Sequence, residues 1–140
     1  MTVLQPPGWP RPRGYANGVA ARGMTVFVAG QIAWDAQQRF AGERLADQAR
    51  QALANVVAVL AEAGARPEHI VRMTWYVTDR AEYLAQAREI GAAFRELIGS
   101  FAIAMTAVEV KALIEERAKV EIEVTAVLPD SADPGPARAG

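Results

Sequence analysis

An α+β domain, with a mixed sheet and two helices on one of its faces, is predicted by three observations. In residues 120–126, Val120, Ile122, Val124 and Ala126 alternate with Glu121, Glu123 and Thr125, the period of two of a strand with one face in a core. Two stretches, from Arg44 and from Asp79, change to a period of three to four, that of an amphipathic helix. Strand-like runs stand before, between and after these helices. Strand–helix–strand units cross over right-handed, which places both helices on the same side of one sheet.

The elements follow in order. Residues 1–14 hold four of the eight prolines, so this segment cannot be helical and should run extended over a surface. Residues 15–21 and 24–31 read as strands, and Arg22-Gly23 between them reads as a tight hairpin. Asp35-Ala36-Gln37-Gln38 reads as the next turn, leading to a short extended Arg39-Phe40. Leu45, Ala49, Leu53, Val56 and Leu60 form the stripe of the first helix; Gly64 ends it, with Pro67 shortly after. Residues 70–78, rich in β-branched and aromatic side chains, read as a strand. Asp79 then caps a second helix, and Glu82 three residues on has the capping-box spacing. Its stripe is Leu84, Ala87, Ile90, Phe94 and Leu97, and Gly99 stops it. Residues 101–110 are extended and apolar on both faces, as expected of a strand in the middle of a sheet or beneath another subunit. Residues 111–119 carry Lys, Glu and Arg and read as a solvated link. Residues 1–128 form a single domain, and 129–140 have the composition of a disordered tail.

Composition narrows the function classes. A formal net charge of −1 leaves no footprint for nucleic acid or an anionic membrane, and no partner of either kind is expected. Cysteine is absent and histidine occurs once, at His69, which excludes disulfides, thiolate chemistry and a multi-histidine metal site; neither metal nor cofactor is expected. The start is prolyl and polar, with no apolar run of signal or membrane-spanning length, so a cytoplasmic protein is the expectation. Two helices cover only one sheet face, yet Val71, Met73, Trp75 and Val77 are matched by Ile70 and Tyr76 on the other side of their strand. That second face is too apolar for a monomer, so subunits should associate through the sheet.

Few side chains invite chemistry on their own. Glu121 and Glu123 share a strand face beside an apolar partner strand, but spacing alone makes them its wet side. His69, after a turn, reads as a surface or capping residue. Trp34 reads as a core or interface aromatic that could also wall a cleft mouth, Trp75 and Tyr76 as packing, and Met73 and Met105 as apolar fillers. Asn55 reads as a brace to neighbouring backbone.

Taken together, ordered pieces of the chain resemble the reactive-intermediate deaminase family, the RidA- or YjgF-like proteins. They are Gly14-Tyr15 with Gly18-Val19, Ala29-Gly30-Gln31-Ile32, Gln48 to Val56, Ala63-Gly64, Ile70 to Thr74, Val108-Glu109-Val110 and Val120 to Glu123. The resemblance implies a chorismate-mutase-like fold and a homotrimer with a small-molecule cleft between each pair of subunits. It implies hydrolysis of imines and enamines of small 2-oxo acids with release of ammonia. In that pattern Tyr15 matches the cleft tyrosine and Glu121 the glutamate near the last strand. Ala29 stands where a serine precedes the Gly30-Gln31 pair, and Met105 stands where an arginine clamps the substrate carboxylate. Methionine makes none of the charge-assisted hydrogen bonds of a guanidinium, each worth about 1.5–3 kcal/mol. Arg13 and Arg72 are the candidate substitutes, and Trp34 the candidate wall. Three readings therefore compete: an imine or enamine deaminase, a trimer that binds a metabolite or partner without chemistry, and an endoribonuclease, which the charge disfavours.

Overall fold

The computed structural model describes residues 1–130; the expected tail lies outside this range from residue 131 onward. Its elements are strands β1 (Thr2–Leu4), β2 (Gly18–Ala20) and β3 (Met24–Gln31), helix α1 (Leu45–Glu62), a 3-10 turn (Pro67–His69) and strand β4 (Ile70–Val77). Helices α2 (Arg80–Ala85) and α3 (Ala87–Leu97) and strands β5 (Ala104–Glu109) and β6 (Val120–Leu128) follow. The main sheet has the order β3-β6-β4-β5, with β6 antiparallel to both neighbours and β4 parallel to β5. This is the α+β mixed sheet read from the sequence.

Alternation decides which side of each strand is dry. Val120, Ile122, Val124 and Ala126 of β6 are buried, as are Met73, Trp75 and Val77 of β4. Against them pack Leu45, Ala49, Leu53, Val56 and Leu60 of α1, and Ile90 of α3, the stripes that the helical period predicted. Gly64 ends α1 with φ +74°, a conformation open mainly to glycine. Asp79 caps α2 by accepting from the Glu82 N–H at 3.0 Å.

The structure corrects four expectations. Residues 15–21 and 24–31 form no hairpin: β2 pairs with β1, and β3 pairs with β6. Gly23 (φ +144°) serves a close approach instead, since a Cβ there would sit against the Leu128 carbonyl, 2.9 Å from its carbon. Residues 1–14 consequently contain strand β1 as well as irregular chain. The second helix is divided at Gln86, which ends α2 and begins α3. The division leaves Leu84 and Ala87 of the expected stripe outside the core, and Leu84 is exposed.

The third correction concerns β5, which is an edge strand rather than a central one, with residues Thr106 to Glu109 exposed. Burial beneath another subunit is the expectation that remains for its outer side. The fourth concerns the sheet face away from the helices. A register shift between Ile70 and Arg72 turns Ile70 into the core opposite Ala126. That face then presents Arg72, Thr74, Tyr76, Glu121, Glu123 and Thr125, with Phe27 (78% exposed), Val108 and the half-buried Val127 as its large aliphatic or phenyl side chains. It is more polar than predicted.

Candidate functional site

A cavity of about 520 Å³ opens at the β5 edge, between that strand, α3 and residues 13–15. Gly14 (φ +79°) turns the chain there, and the Ala16 N–H then donates to the Ile103 carbonyl at 2.8 Å. Ala16 pairs with Ala104 as a one-residue parallel extension of the sheet, which holds Tyr15 at the rim, 41% exposed. Met105 is in register with Met73, whose side chain is on the helix side, so Met105 joins Trp75, Ile90 and Phe94 in the cavity wall. Gly91 and Gly99 leave space where side chains would fill it. Volume and apolar lining fit a small-molecule pocket, typically about 300–1,000 Å³.

Two guanidinium groups, Arg13 and Arg95, line this cavity together with Tyr15 and Tyr83, and no Asp or Glu does. Neither arginine forms a hydrogen bond or ion pair with a described residue. Tyr83 sits against Trp75, ring centroids 6.3 Å apart, and burial raises its phenol pKa, so it remains a proton donor at neutral pH.

Glu121, Gly30, Ala29 and Trp34 form a different group. The β3–β6 register shifts between Val28 and Gln31, which leaves Ala29 and Gly30 outside the regular ladder. Such a bulge re-aims the backbone. Glu121 lies across the strand pair from Tyr76 and its carboxylate closes onto Gly30, where a Cβ would meet Oε1 and lie 2.8 Å from Cδ. The neighbouring Glu123 is engaged by the Tyr76 hydroxyl, which donates to it at 2.6 Å. That hydrogen bond is the main cause of the raised Tyr76 pKa, so Tyr76 does more than pack. Trp34 meets Phe40 edge to face, centroids 5.4 Å apart, and the Arg117 guanidinium stacks 5.0 Å from the one ring and 4.7 Å from the other. The Asn55 amide donates to the Ile32 and Trp34 carbonyls, the backbone brace expected of it. A second hollow of about 600 Å³ has Gly30, Gln31, Trp34 and Asn55 in its wall.

The expected site residues therefore separate. Tyr15, Arg13 and Met105 share the edge cavity, while Glu121, Gly30, Ala29 and Trp34 do not reach it. Strands β4 and β5 stand between β6 and the Tyr15 segment, roughly 14 Å at about 4.8 Å per strand. Glu121 also projects from the sheet face opposite to that of Met105. Arg72 lines a shallow hollow with Phe27, Thr74 and Glu123 on that opposite face, so of the two candidate cations only Arg13 accompanies Tyr15. The sequence reading passed over Arg95, Tyr83 and Trp75 as cavity residues. Gly91 four residues before Arg95 was the available signal, because on a helix it leaves room beneath the guanidinium, whose Nη1 lies 3.3 Å from where a Gly91 Cβ would stand.

His69 is buried and caps its own turn, its Nδ1 accepting from the Arg66 N–H at 2.9 Å. Among the described residues, no cluster of His, Asp and Glu could hold a metal ion, and no helix is long and apolar enough to cross a membrane.

The family model described as endoribonuclease L-PSP matches residues 10–128. A RutC family protein of Synechocystis is 39% identical over 132 residues, covering 92% of this chain and 98% of the relative. The 2-iminobutanoate/2-iminopropanoate deaminase of Salmonella typhimurium is 35% identical over 113 residues, 81% of this chain and 86% of that one. Among solved structures, a Rid-family protein of unknown function from Yersinia pestis superposes with a TM-score of 0.76 at 34% identity, covering 91% of this chain and 98% of that one. Escherichia coli TdcF with bound serine gives a TM-score of 0.66 at 30% identity over 91% and 99%. The chain belongs to the RidA/YjgF (endoribonuclease L-PSP) family and has its α+β fold.

Proposed function

We propose that the protein hydrolyses the C=N bond of a small imine, either supplied as such or formed when an enamine takes a proton at carbon, at a site completed by the neighbouring subunit of a homotrimer. The observation that supports this is the separation just described. Tyr15 and Glu121, both matching the family pattern, lie on different faces of one protomer, and a second copy that brings its Glu121 and Gly30 to the edge cavity unites them. In this reading the Tyr15 hydroxyl orients the substrate. Glu121 accepts a proton from the attacking water as the C–O bond forms and delivers it to the imine nitrogen. The same carboxylate then carries the carbinolamine hydroxyl proton to nitrogen; the C–N bond breaks and ammonia leaves a carbonyl product. The deaminase name of the Salmonella relative supports the reaction class.

Met105 favours one rival reading, a trimer that binds without turnover, because the position aligned with the clamping arginine offers no charge. The endoribonuclease reading has less support, since a net charge of −1 gives no cationic track for phosphates. The test is ammonia release from imines generated in situ. Wild type should accelerate it, and Glu121→Gln and Tyr15→Phe should each return it to background. A folded wild type without turnover on any imine contradicts the enzymatic reading and favours the binding one.

A further inference from the structure

We infer that the edge cavity takes an organic anion with a bulky apolar body, and that Arg95 and Arg13 together form its anion clamp in place of the residue at position 105. The inference rests on reading this cavity as the substrate half of the site.

The charge distribution comes first. Two guanidinium groups and no carboxylate line the cavity, whereas Arg44 and Arg50, at the start of and within α1, hold acids of α3. Arg44 holds Glu89 at 2.7 Å and Arg50 holds Glu96 at 2.6 Å. Arg95 stands between those partners in sequence but forms no ion pair with a described residue. Two guanidinium groups lining one cavity, without an acid beside them there, offer an anion charge-assisted hydrogen bonds from two sides.

Shape comes second. Gly91, one helical turn before Arg95, lets the guanidinium fold back over the helix towards the cavity. With an arginine at 105 the clamp would rise from the strand wall; here it rises from α3 and from residue 13, and the strand wall is the thioether of Met105. The wall is completed by Trp75, Ile90 and Phe94. Such a surface gains from apolar area on the ligand, about 25 cal/mol per Å², which a two- or three-carbon acid cannot supply. Tyr15 and Tyr83 add hydroxyl donors at the mouth. The ligand class is a carboxylate with a branched or aromatic body.

The experiment is calorimetric titration of the full chain with 3-phenylpropanoate, propanoate and the neutral 3-phenylpropanamide. Wild type should bind 3-phenylpropanoate at least about tenfold more tightly than either of the others. Arg95→Gln and Arg13→Gln should each abolish the preference for acid over amide, and added salt should weaken only the acid. Arg66→Gln, in the turn before β4 and paired with Glu68, should bind as wild type does. Equal affinity for acid and amide in wild type, or an undiminished preference in Arg95→Gln, overturns the clamp; propanoate binding as well as 3-phenylpropanoate overturns the apolar specificity. The ammonia assay separates this inference from the reaction. Acid binding that depends on Arg95 in a protein without imine turnover leaves the clamp standing and the reaction refuted. Turnover that is unchanged in both arginine variants does the reverse.

Discussion

Gly30 shows how one missing side chain sets the position of another. Glu121 occupies the volume that a Cβ at residue 30 would need, with its Cγ 2.9 Å and its Cδ 2.8 Å from that point. Gly30→Ala should therefore swing the carboxylate out while the flanking ladder persists. If Glu121 moves protons as proposed, turnover should fall by about 100-fold, the scale of an ångström-sized misplacement, with the melting temperature nearly unchanged. Activity within a factor of two of wild type would show that the position of Glu121 is immaterial. His69 offers a second test, of stability. Its burial lowers the imidazole pKa in the folded state. Above the usual value of about 6.5 both states are neutral and pH has no effect through this group. As pH falls below that value the unfolded chain takes up a proton that the folded chain resists, and stability declines. Thermal melts between pH 7.5 and 5.5 should show this decline, flattened in His69→Asn; parallel curves would refute the assignment. Tyr15, Glu121 and Met105 could be singled out in the sequence as candidates because each sits in a motif. Arg95 sits in none, and its candidacy comes from a helix turn, a glycine and a cavity lined by no acid.

At the scale of elements, polar side chains staple the helices to the loops that end the sheet. Gln48 is fully buried in α1, its amide donating to the Gly42 and Arg117 carbonyls and its Oε1 accepting from the Lys119 N–H at 2.8 Å. The start of α1 has no side-chain cap of its own from Arg44. Glu82 of α2 accepts from the Leu45 N–H and Gln86 from the Ala46 N–H, satisfying two donors that a helix leaves open. Lys119 completes the junction, 2.9 Å from Glu82. Gln48→Ala would remove the partner of three backbone groups at a part-buried junction, so a loss of about 2–4 kcal/mol is expected in chemical denaturation. A loss under about 1 kcal/mol would mean that water replaces the amide. Period and capping residues sufficed to place α1, β4 and β6, because each buries one clean face. Pairing was less legible. The Arg22-Gly23 signal suits a hairpin or a close approach equally well, and only the competition of β6 for β3 decides between them. The break at Gln86 was hidden for a similar reason: its side chain accepts from the Ala46 N–H, forty residues away, a partner that the helical period does not reveal.

The whole molecule presents two unfinished surfaces. One is the edge cavity with its cations and tyrosines; the other is the opposite sheet face with Glu121, and the Gly30 bulge beside it. In the proposed trimer, three copies of a 15.1 kDa chain arranged head to tail would join the first surface of each to the second of the next, as a cyclic interface closes. Sedimentation should accordingly show a species of about 45 kDa. The more direct measurement is complementation between two inactive chains. Tyr15→Phe and Glu121→Gln, co-expressed with different tags and purified through both, should recover imine hydrolysis that neither variant shows alone. In the doubly purified mixed trimers about one site in three receives an intact Tyr15 from one subunit and an intact Glu121 from its neighbour, so about a third of wild-type activity is the predicted result. Mixed oligomers as inactive as either parent would contradict a site shared between subunits.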